Sequence, residues 1–291
     1  MSLAGPTEIV TLPAVVRARR GRIDPLMVMC LLVIGAIVLV AILAPLVAPD
    51  NPDTINILSS NQGTSGSHLL GTDSLGRDLL SRLIWGARLS LLGPALIVVA
   101  ATSLGTALAI TTAWIGGAFD AAVARVLDIL FAFPGLIFAL LAVAMFGPGL
   151  WAPVVALAIA YLPYIARVLR STALRERNLP YVSALYVGGL TSWRICWRHI
   201  LPNIMPFVVV QAALSFGSAL IDLSALSYLG LGIQPPKAEW GLMVSDGQSS
   251  ILNGSPAESL YAGAMIVVVV VAFNLLADRL AASVHSRGSQ R

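Results

Sequence analysis

Charged residues are scarce in this chain of 291 residues: Asp, Glu, Lys and Arg together make up 11% of it, against about 25% in soluble domains. Hydrophobic residues make up 57%, and the mean hydropathy is +0.86. A soluble globular domain is excluded, because too little polar surface is available to cover it. The chain must instead be solvated mainly by lipid.

Cysteine, lysine and histidine are also rare, which excludes several kinds of site. Cys30 and Cys196 have no Cys or His neighbours of the kind that bind metals, and we expect no disulfide between them. The single lysine, Lys237, is followed by alanine, so the Lys-Ser or Lys-Thr pair of a phosphate-binding loop is missing. The three histidines lie far apart in sequence and form no HExxH motif. The sequence therefore predicts no metal site and no nucleotide hydrolysis in this chain.

Six apolar runs are long enough to cross a membrane, because a helix needs about 20 mainly apolar residues to do so. The fourth run contains two prolines, which neighbouring helices can accommodate. The predicted fold class is all-α: a polytopic membrane protein with six transmembrane helices. The six runs are residues 26–47, 89–114, 123–146, 150–168, 204–226 and 260–282.

The first run could instead be a secretory signal, since it follows the basic stretch RARRGR at residues 17–22. A signal contains about 7–15 apolar residues before a small-residue cleavage site. This run is longer, so we interpret it as an uncleaved first helix.

The distribution of arginine predicts the orientation. With a cytoplasmic N-terminus, 14 of the 18 Lys and Arg residues fall on cytoplasmic segments or their edges, as the positive-inside rule favours. Both termini are then cytoplasmic. We predict a lead (1–24), a permeation domain of six spans (25–285) and a tail (286–291), with external segments at 50–88 and 227–259 and a cytoplasmic loop at 169–203.

The external segments have different characters. In the first, leucines and an isoleucine from Leu75 to Ile84 recur at helical spacing, with Arg77, Asp78 and Arg82 on the other side. We predict an amphipathic helix lying at the outer membrane interface before the second span. The second segment is rich in Gly and Pro, so we expect short helical turns that cap a vestibule or meet an external protein.

The cytoplasmic segment TSWRICWRHILPN, at residues 191–203, is basic and rich in tryptophan. A short helix before it should end at Gly188 and Gly189, and a second helix should begin at Thr191 or Ser192. Pro202 should then redirect the chain into the fifth span. We call this predicted helix–turn–helix the elbow (residues 181–203).

Two functions fit the elbow. At helical spacing, Arg194 and Arg198 project together, and an apolar face contains Trp193, Cys196, Trp197 and Ile200. Trp and Arg are enriched where one protein grips another. They also anchor interfacial helices against lipid headgroups. The glycine pair and helix break are more elaborate than a lipid anchor requires, which favours docking.

The elbow resembles the EAA loop of ABC importer permeases, in which a Glu-Ala-Ala element, a glycine and a Leu-Pro pair keep fixed spacing. Ala184, Gly189, Leu201 and Pro202 match that pattern. Three positions depart from it: Ser183 replaces the Glu, Leu185 the second Ala and His199 an aliphatic residue.

Four further motifs extend the resemblance over residues 25–285. They are GTDSLGRDLLSRLIWGARLSL (71–91), DILFAFPGL (128–136), SYLGLGIQPPKAEWGLM (227–243) and FNLLADRL (273–280). In this order they resemble the C-type permease subunit of dipeptide and oligopeptide ABC importers.

This resemblance implies a type I ABC importer permease in the bacterial cytoplasmic membrane, with a coupling helix between spans 4 and 5. ATP and Mg would be bound by a partner ATPase, which the elbow would contact. A homologous second permease would share the substrate pathway, and no nucleic acid partner is expected. The implied coupling residues are Ser183, Ala184, Gly189, Thr191, Trp193, Arg194, Trp197, Arg198, His199, Leu201 and Pro202.

An extracytoplasmic solute-binding protein would dock on the external segments, through Arg77, Asp78, Arg82 and Trp240. The implied substrate is a short peptide, although related permeases carry nickel, glutathione or other small solutes. A membrane scaffold or channel that only anchors partners is a coarser alternative.

Carboxylates within the spans leave a carrier driven by an ion gradient as the rival hypothesis, since such carriers place ionisable groups there. Asp128 lies near the inner end of the third span and Asp222 near the outer end of the fifth. Each could line the translocation pathway, Asp222 by meeting a peptide ammonium. For Asp128 we favour a structural role at the helix end, whereas for Asp222 a structural role and a pathway role both stay open.

Overall fold

The computed structural model describes residues 24–288, with side chains up to residue 284. The predicted lead up to residue 23 and the tail beyond residue 288 lie outside the described residues. Within the described range the chain is helical, without a β-strand. The helices are α1 (Pro25–Ile42), α2 (Ala44–Val47), α3 (Leu79–Ile115), α4 (Gly117–Phe131), α5 (Gly135–Phe146), α6 (Trp151–Arg177), α7 (Pro180–Val187), α8 (Ser192–Ile195), α9 (Leu201–Tyr228), α10 (Trp240–Asp246), α11 (Gln248–Leu252) and α12 (Ala257–Gly288).

Six spans account for the long apolar helices of residues 24–288. Five are α1, α3, α6, the continuous α8–α9 unit and α12, and the bent pair α4–α5 supplies the sixth. The all-α, six-span fold class is thus confirmed. The prediction of one unbroken third span at 123–146 is wrong, because α4 and α5 meet at 78°. Pro134 lacks an N–H and disfavours helical backbone at Phe133, so the helix stops and restarts there.

The helix predicted to lie at the outer interface is instead the first part of α3. The Asp78 side chain caps α3 by accepting a hydrogen bond from the Ser81 N–H at 2.8 Å, and the helix then runs unbroken to Ile115. Its polar side faces inward, with Arg82 fully buried. An amphipathic pattern alone does not say whether the polar side meets water or a buried partner.

The ends of the described chain lie on one side of the bundle. Arg279 of α12 donates from Nη1 to Oδ2 of Asp24, which precedes α1, at 3.1 Å. The elbow lies on this side too, because it follows α6, the fourth span, which returns the chain to the side where α1 begins. We call this the elbow side and the opposite one the far side.

Helix α3 packs against both α6 and α9 at the centre of the bundle. The α3–α6 contact is close at Gly105, where a Cβ atom would lie 2.9 Å from Cγ2 of Ile165. The elbow is built into the core on its own side: Val182, Ile195 and Ile200 are buried together with residues of α3 and α6. The elbow is therefore part of the packed bundle.

Candidate functional site

The first elbow helix, α7, ends as the glycine pair predicts. Gly189 has φ = +84°, and the Leu190 N–H donates to the Leu185 carbonyl at 3.2 Å while the Gly189 N–H donates to the Tyr186 carbonyl at 3.1 Å. These two bonds form a Schellman stop, which needs a residue in the left-handed region at the position of Gly189.

The second elbow helix begins at Ser192, as predicted, but it does not end at Pro202. Helix α8 continues through a π-helical turn, Cys196–Ile200, into α9. Pro202 has no N–H to donate to the Arg198 carbonyl, and its ring crowds that carbonyl. The wider turn relieves the crowding and bonds the Leu201 N–H to the Cys196 carbonyl instead. The predicted redirection of the chain at Pro202 is therefore wrong.

The predicted apolar face of the second helix is divided in two. Cys196 and Ile200 are buried, whereas Trp193 is 69% exposed and Trp197 is 37% exposed. The two indole rings pack on each other with centroids 5.1 Å apart. The π-helical turn changes the angular offset between these positions, so helical spacing no longer places all four on one side.

Most of the predicted coupling residues form the exposed surface of the elbow. His199 and Leu201 are half-buried. Tyr186 and Val187 of α7 are also exposed. The elbow therefore presents an aromatic and basic outer surface on a buried apolar base. The exposed members of the predicted set are Ser183, Ala184, Gly189, Thr191, Trp193, Arg194, Trp197, Arg198 and Pro202.

Three polar side chains that sequence reasoning missed tie the elbow to its helices. The Tyr181 hydroxyl donates to Oε1 of Glu176 at 2.7 Å, and Asn203 Nδ2 donates to that same oxygen at 2.8 Å. Partial burial and the bond to Glu176 raise the pKa of Tyr181 to about 12, so it remains a donor. The bonds join the end of α6 to the starts of α7 and α9.

On the far side, a buried charge cluster joins three segments. Arg77 donates from Nε to Asp73 at 2.5 Å, and Arg82 lies 3.5 Å from both Asp73 and Asp246. Glu258, at the start of α12, is 4.0 Å from Arg82, and its two oxygens have no hydrogen-bond partner among the described residues. Burial raises the pKa of Asp246, although both arginines oppose that shift.

Trp240 is fully buried in a second far-side network. Its indole N–H donates to the Leu83 carbonyl at 3.0 Å, and its backbone N–H donates to the Ser90 hydroxyl at 2.9 Å. Ser90 in turn donates to Glu239, which caps α10 by accepting from the N–H groups of Gly241 and Leu242. Burial raises the pKa of Glu239. This network pins the segment before α10 to the side of α3.

The four side chains predicted to meet a binding protein are all buried within the chain: Arg77, Asp78, Arg82 and Trp240. That prediction is wrong for direct contacts, because Arg77, Arg82 and Trp240 are engaged inside the far-side networks, while Asp78 caps α3 and contacts His68. What they contribute is the shape of the far-side surface.

The two carboxylates proposed for the pathway have protein partners. Asp128 accepts a bond from Arg167 Nη2 at 2.7 Å, with both side chains more than half exposed. Asp120, one further residue that sequence reasoning missed, pairs in bidentate fashion with Arg170. Asp222 of α9 accepts from the Tyr161 hydroxyl of α6 at 2.8 Å. The Asp128 pair explains that residue as a brace between α4 and α6.

One group of side chains on the far side could hold a metal ion. The ligand atoms of Asp50, His68 and Asp78 lie within 4.8 Å of one another, and His68 Nδ1 is 3.1 Å from Asp78 Oδ1. The sequence did not predict this grouping, because only the folded loop brings the three together. The contact between His68 and Asp78 also serves to hold the loop against the cap of α3.

Comparison with known proteins places the chain in a family. Residues 101–289 match the family described as "binding-protein-dependent transport system inner membrane component". The chain belongs to this family. Residues 18–63 also match the N-terminal transmembrane domain of oligopeptide transport permease C, so the two matches cover most of the permease.

Curated relatives cover most of the permease as well. It is 37% identical over 257 residues to a dipeptide transport system permease protein of Alkalihalophilus pseudofirmus, covering 88% of this chain and 84% of the relative. It is 41% identical to a di/tripeptide transport system permease protein of Pseudomonas aeruginosa, covering 84% and 82%. The predicted C-type permease of the dipeptide and oligopeptide ABC importers is confirmed. It is a transport permease subunit, and permease subunits of ABC importers have no ATPase site of their own.

A solved structure shows the same fold. The inward-facing MetNI methionine ABC transporter aligns with a TM-score of 0.54 at 19% identity, over 71% of this chain and 96% of that one. The predicted type I importer fold is confirmed. The permease is a multi-pass protein of the inner membrane.

Proposed function

We propose that this permease forms the translocation pathway of an importer for short peptides, together with a second, homologous permease, and that ATP hydrolysis by a partner ATPase drives it. Relatives named for dipeptide and di/tripeptide transport, at 37% and 41% identity, support the substrate class. A solute-binding protein would deliver the peptide to the far side, in keeping with the family's description.

The orientation that supports this function puts the elbow side in the cytoplasm. Fourteen of the 18 Lys and Arg residues then lie on the cytoplasmic side, which the positive-inside rule favours. The elbow would meet an ATPase in the cytoplasm, and the segments around α10 would face the binding protein outside.

The observation that carries the coupling proposal is the two-sided construction of the elbow. Its outer surface exposes Trp193, Trp197 and the Arg194–Arg198 pair, residue types that dominate protein interfaces. Its inner surface is buried in the bundle, and Tyr181 ties it to Glu176 of α6. An ATPase that pulls on the outer surface would move α6 and α9 together, as a rigid-body switch.

The test is the double variant Arg194→Glu, Arg198→Glu in the intact transporter. We expect normal membrane insertion but loss of the ATPase on co-purification and loss of peptide uptake, because two cations at the interface become anions. Arg125→Glu is the matched control, since Arg125 is exposed on the same side but outside the elbow. If the double variant kept both its ATPase and wild-type uptake, the coupling assignment would have to be abandoned.

A further inference from the structure

Helices α6 and α9 share a polar contact inside the membrane-spanning part of the bundle. The Tyr161 hydroxyl donates to Oδ2 of Asp222 at 2.8 Å. Tyr161 lies ten residues into α6 and Asp222 six residues before the end of α9, about 15 Å and about 9 Å from the far-side helix ends at 1.5 Å per residue. Both groups therefore lie in the outer half of the spans.

Asp222 has no counter-charge among the side chains that the structure describes. Among residues 24–284, no Lys, Arg or His forms an ion pair with it. The side chain is only half-buried, and a carboxylate facing lipid at this depth would be costly. Its open side must therefore face water or protein. Ser218, one turn earlier on α9, is exposed and extends the same polar strip.

The bond from Tyr161 leaves Asp222 able to accept other donors. The Tyr161 hydroxyl engages one carboxylate oxygen and fixes the orientation of the group, which leaves the other oxygen to accept further hydrogen bonds. A primary ammonium offers three donors and a positive charge, and bonds of this charge-assisted kind are the strong ones. With no cation in place, the tyrosine still provides the carboxylate with one partner.

We propose that Asp222, held by Tyr161, is the subsite that recognises the free N-terminal ammonium of the transported peptide. This inference rests on the proposed function and adds which end of the peptide the permease reads. Asp222 is the binding residue and Tyr161 a positioning residue. The competing explanation is that the pair only fastens α6 to α9, in which case the charge of Asp222 would not matter.

Asp222→Asn separates the two explanations, because asparagine keeps an oxygen that accepts from Tyr161 but removes the charge. The assay is ATP-driven uptake by the reconstituted importer, with a saturating supply of binding protein loaded with a free-amine tripeptide. A second assay uses the same tripeptide N-acetylated. The binding protein is the same throughout, so its own preference cancels when variant and wild type are compared.

We expect Asp222→Asn to lower uptake of the free-amine peptide by about tenfold or more while uptake of the acetylated peptide is maintained. Unchanged uptake of the free-amine peptide, or an equal loss for both peptides, would overturn the inference.

Tyr161→Phe should cause a smaller loss that is again selective for the free-amine peptide. Tyr164→Phe is the matched control, because Tyr164 lies one turn away on α6 and is 49% exposed. An equal effect of Tyr161→Phe on both peptides would reduce Tyr161 to a packing residue. If the wild-type importer took up no peptide at all, the proposed function itself would fail. If the wild type took up peptide and Asp222→Asn did so equally well, only the inference about Asp222 would fail.

Discussion

The guanidinium of Arg82 lies 3.5 Å from the carboxylate of Asp246 (Nη2 to Oδ2), which joins the first turn of α3 to the end of α10. Arg82 is fully buried and also approaches Asp73 and Glu258. Arg82, which the sequence predicted to lie at the surface, is thus at the centre of the far-side structure. Its contacts close the far-side end of the helix bundle.

Arg82→Met should destabilise the permease by about 3–5 kcal/mol, because removing one partner leaves buried carboxylates without their cation. Thermal unfolding of the purified transporter measures this as a lower melting temperature. Arg88→Met is the control: Arg88 is exposed on the same helix, and its loss should change stability by less than about 0.5 kcal/mol. Equal melting temperatures for the two variants would contradict the role given to Arg82.

Glu239 should make stability depend on pH. Burial raises its pKa above the unfolded value of about 4.3, although bonds from the Gly241 and Leu242 N–H groups oppose the shift. Between those two pKa values the folded chain holds a proton that the unfolded chain has released. Stability therefore falls as pH rises through that window.

Melting curves of wild type and Glu239→Gln, recorded from about pH 4.3 upwards, test whether Glu239 causes this loss of stability. We expect the wild type to lose stability as pH rises and the variant to show a shallower slope, since the amide does not titrate. Asp246, whose pKa burial also raises, is present in both proteins and cancels in the difference. Parallel slopes would show that Glu239 does not titrate in this window.

Tyr181→Phe should weaken the connection between the elbow and the bundle. The variant loses the bond to Glu176 and the one accepted from Asn203, each of which contributes about 0.5–1.5 kcal/mol. We expect the ATPase to co-purify normally, because the outer surface of the elbow is unchanged, but fewer peptides to be imported per ATP hydrolysed. Tyr164→Phe, which removes an exposed hydroxyl, is the control. If the number of peptides imported per ATP were unchanged, the Tyr181 hydrogen bonds would not transmit movement.

Much of the elbow could be predicted from the sequence because its signals are local. The stop at Gly189 requires left-handed backbone, which glycine adopts without penalty, and the start at Ser192 follows the usual cap pattern. What failed was the common face of Trp193 and Ile200. That prediction assumed regular helical spacing up to Pro202, and the π-helical turn that the proline induces breaks it.

The far side could not be predicted in the same way. From the sequence, Arg77, Arg82 and Trp240 are predicted to lie at the surface beside the membrane, since polar side chains outside a span usually face water. Their partners Asp246, Glu258 and Leu83 come from segments distant in sequence. Only packing of α10 and α12 against α3 shows that these polar groups satisfy one another in the interior.

The sequence by itself determined that this protein is a helical membrane protein with six spans, because long apolar runs and the exclusion of charge follow from the lipid solvent alone. It also located the elbow, because caps and glycine stops act within a few residues. Only the tertiary structure decided which polar residues are buried and paired: the Arg82 cluster, the Glu239 network and the Tyr161–Asp222 contact. Burial of a charge depends on a partner brought from elsewhere in the chain, and no local pattern records that partner.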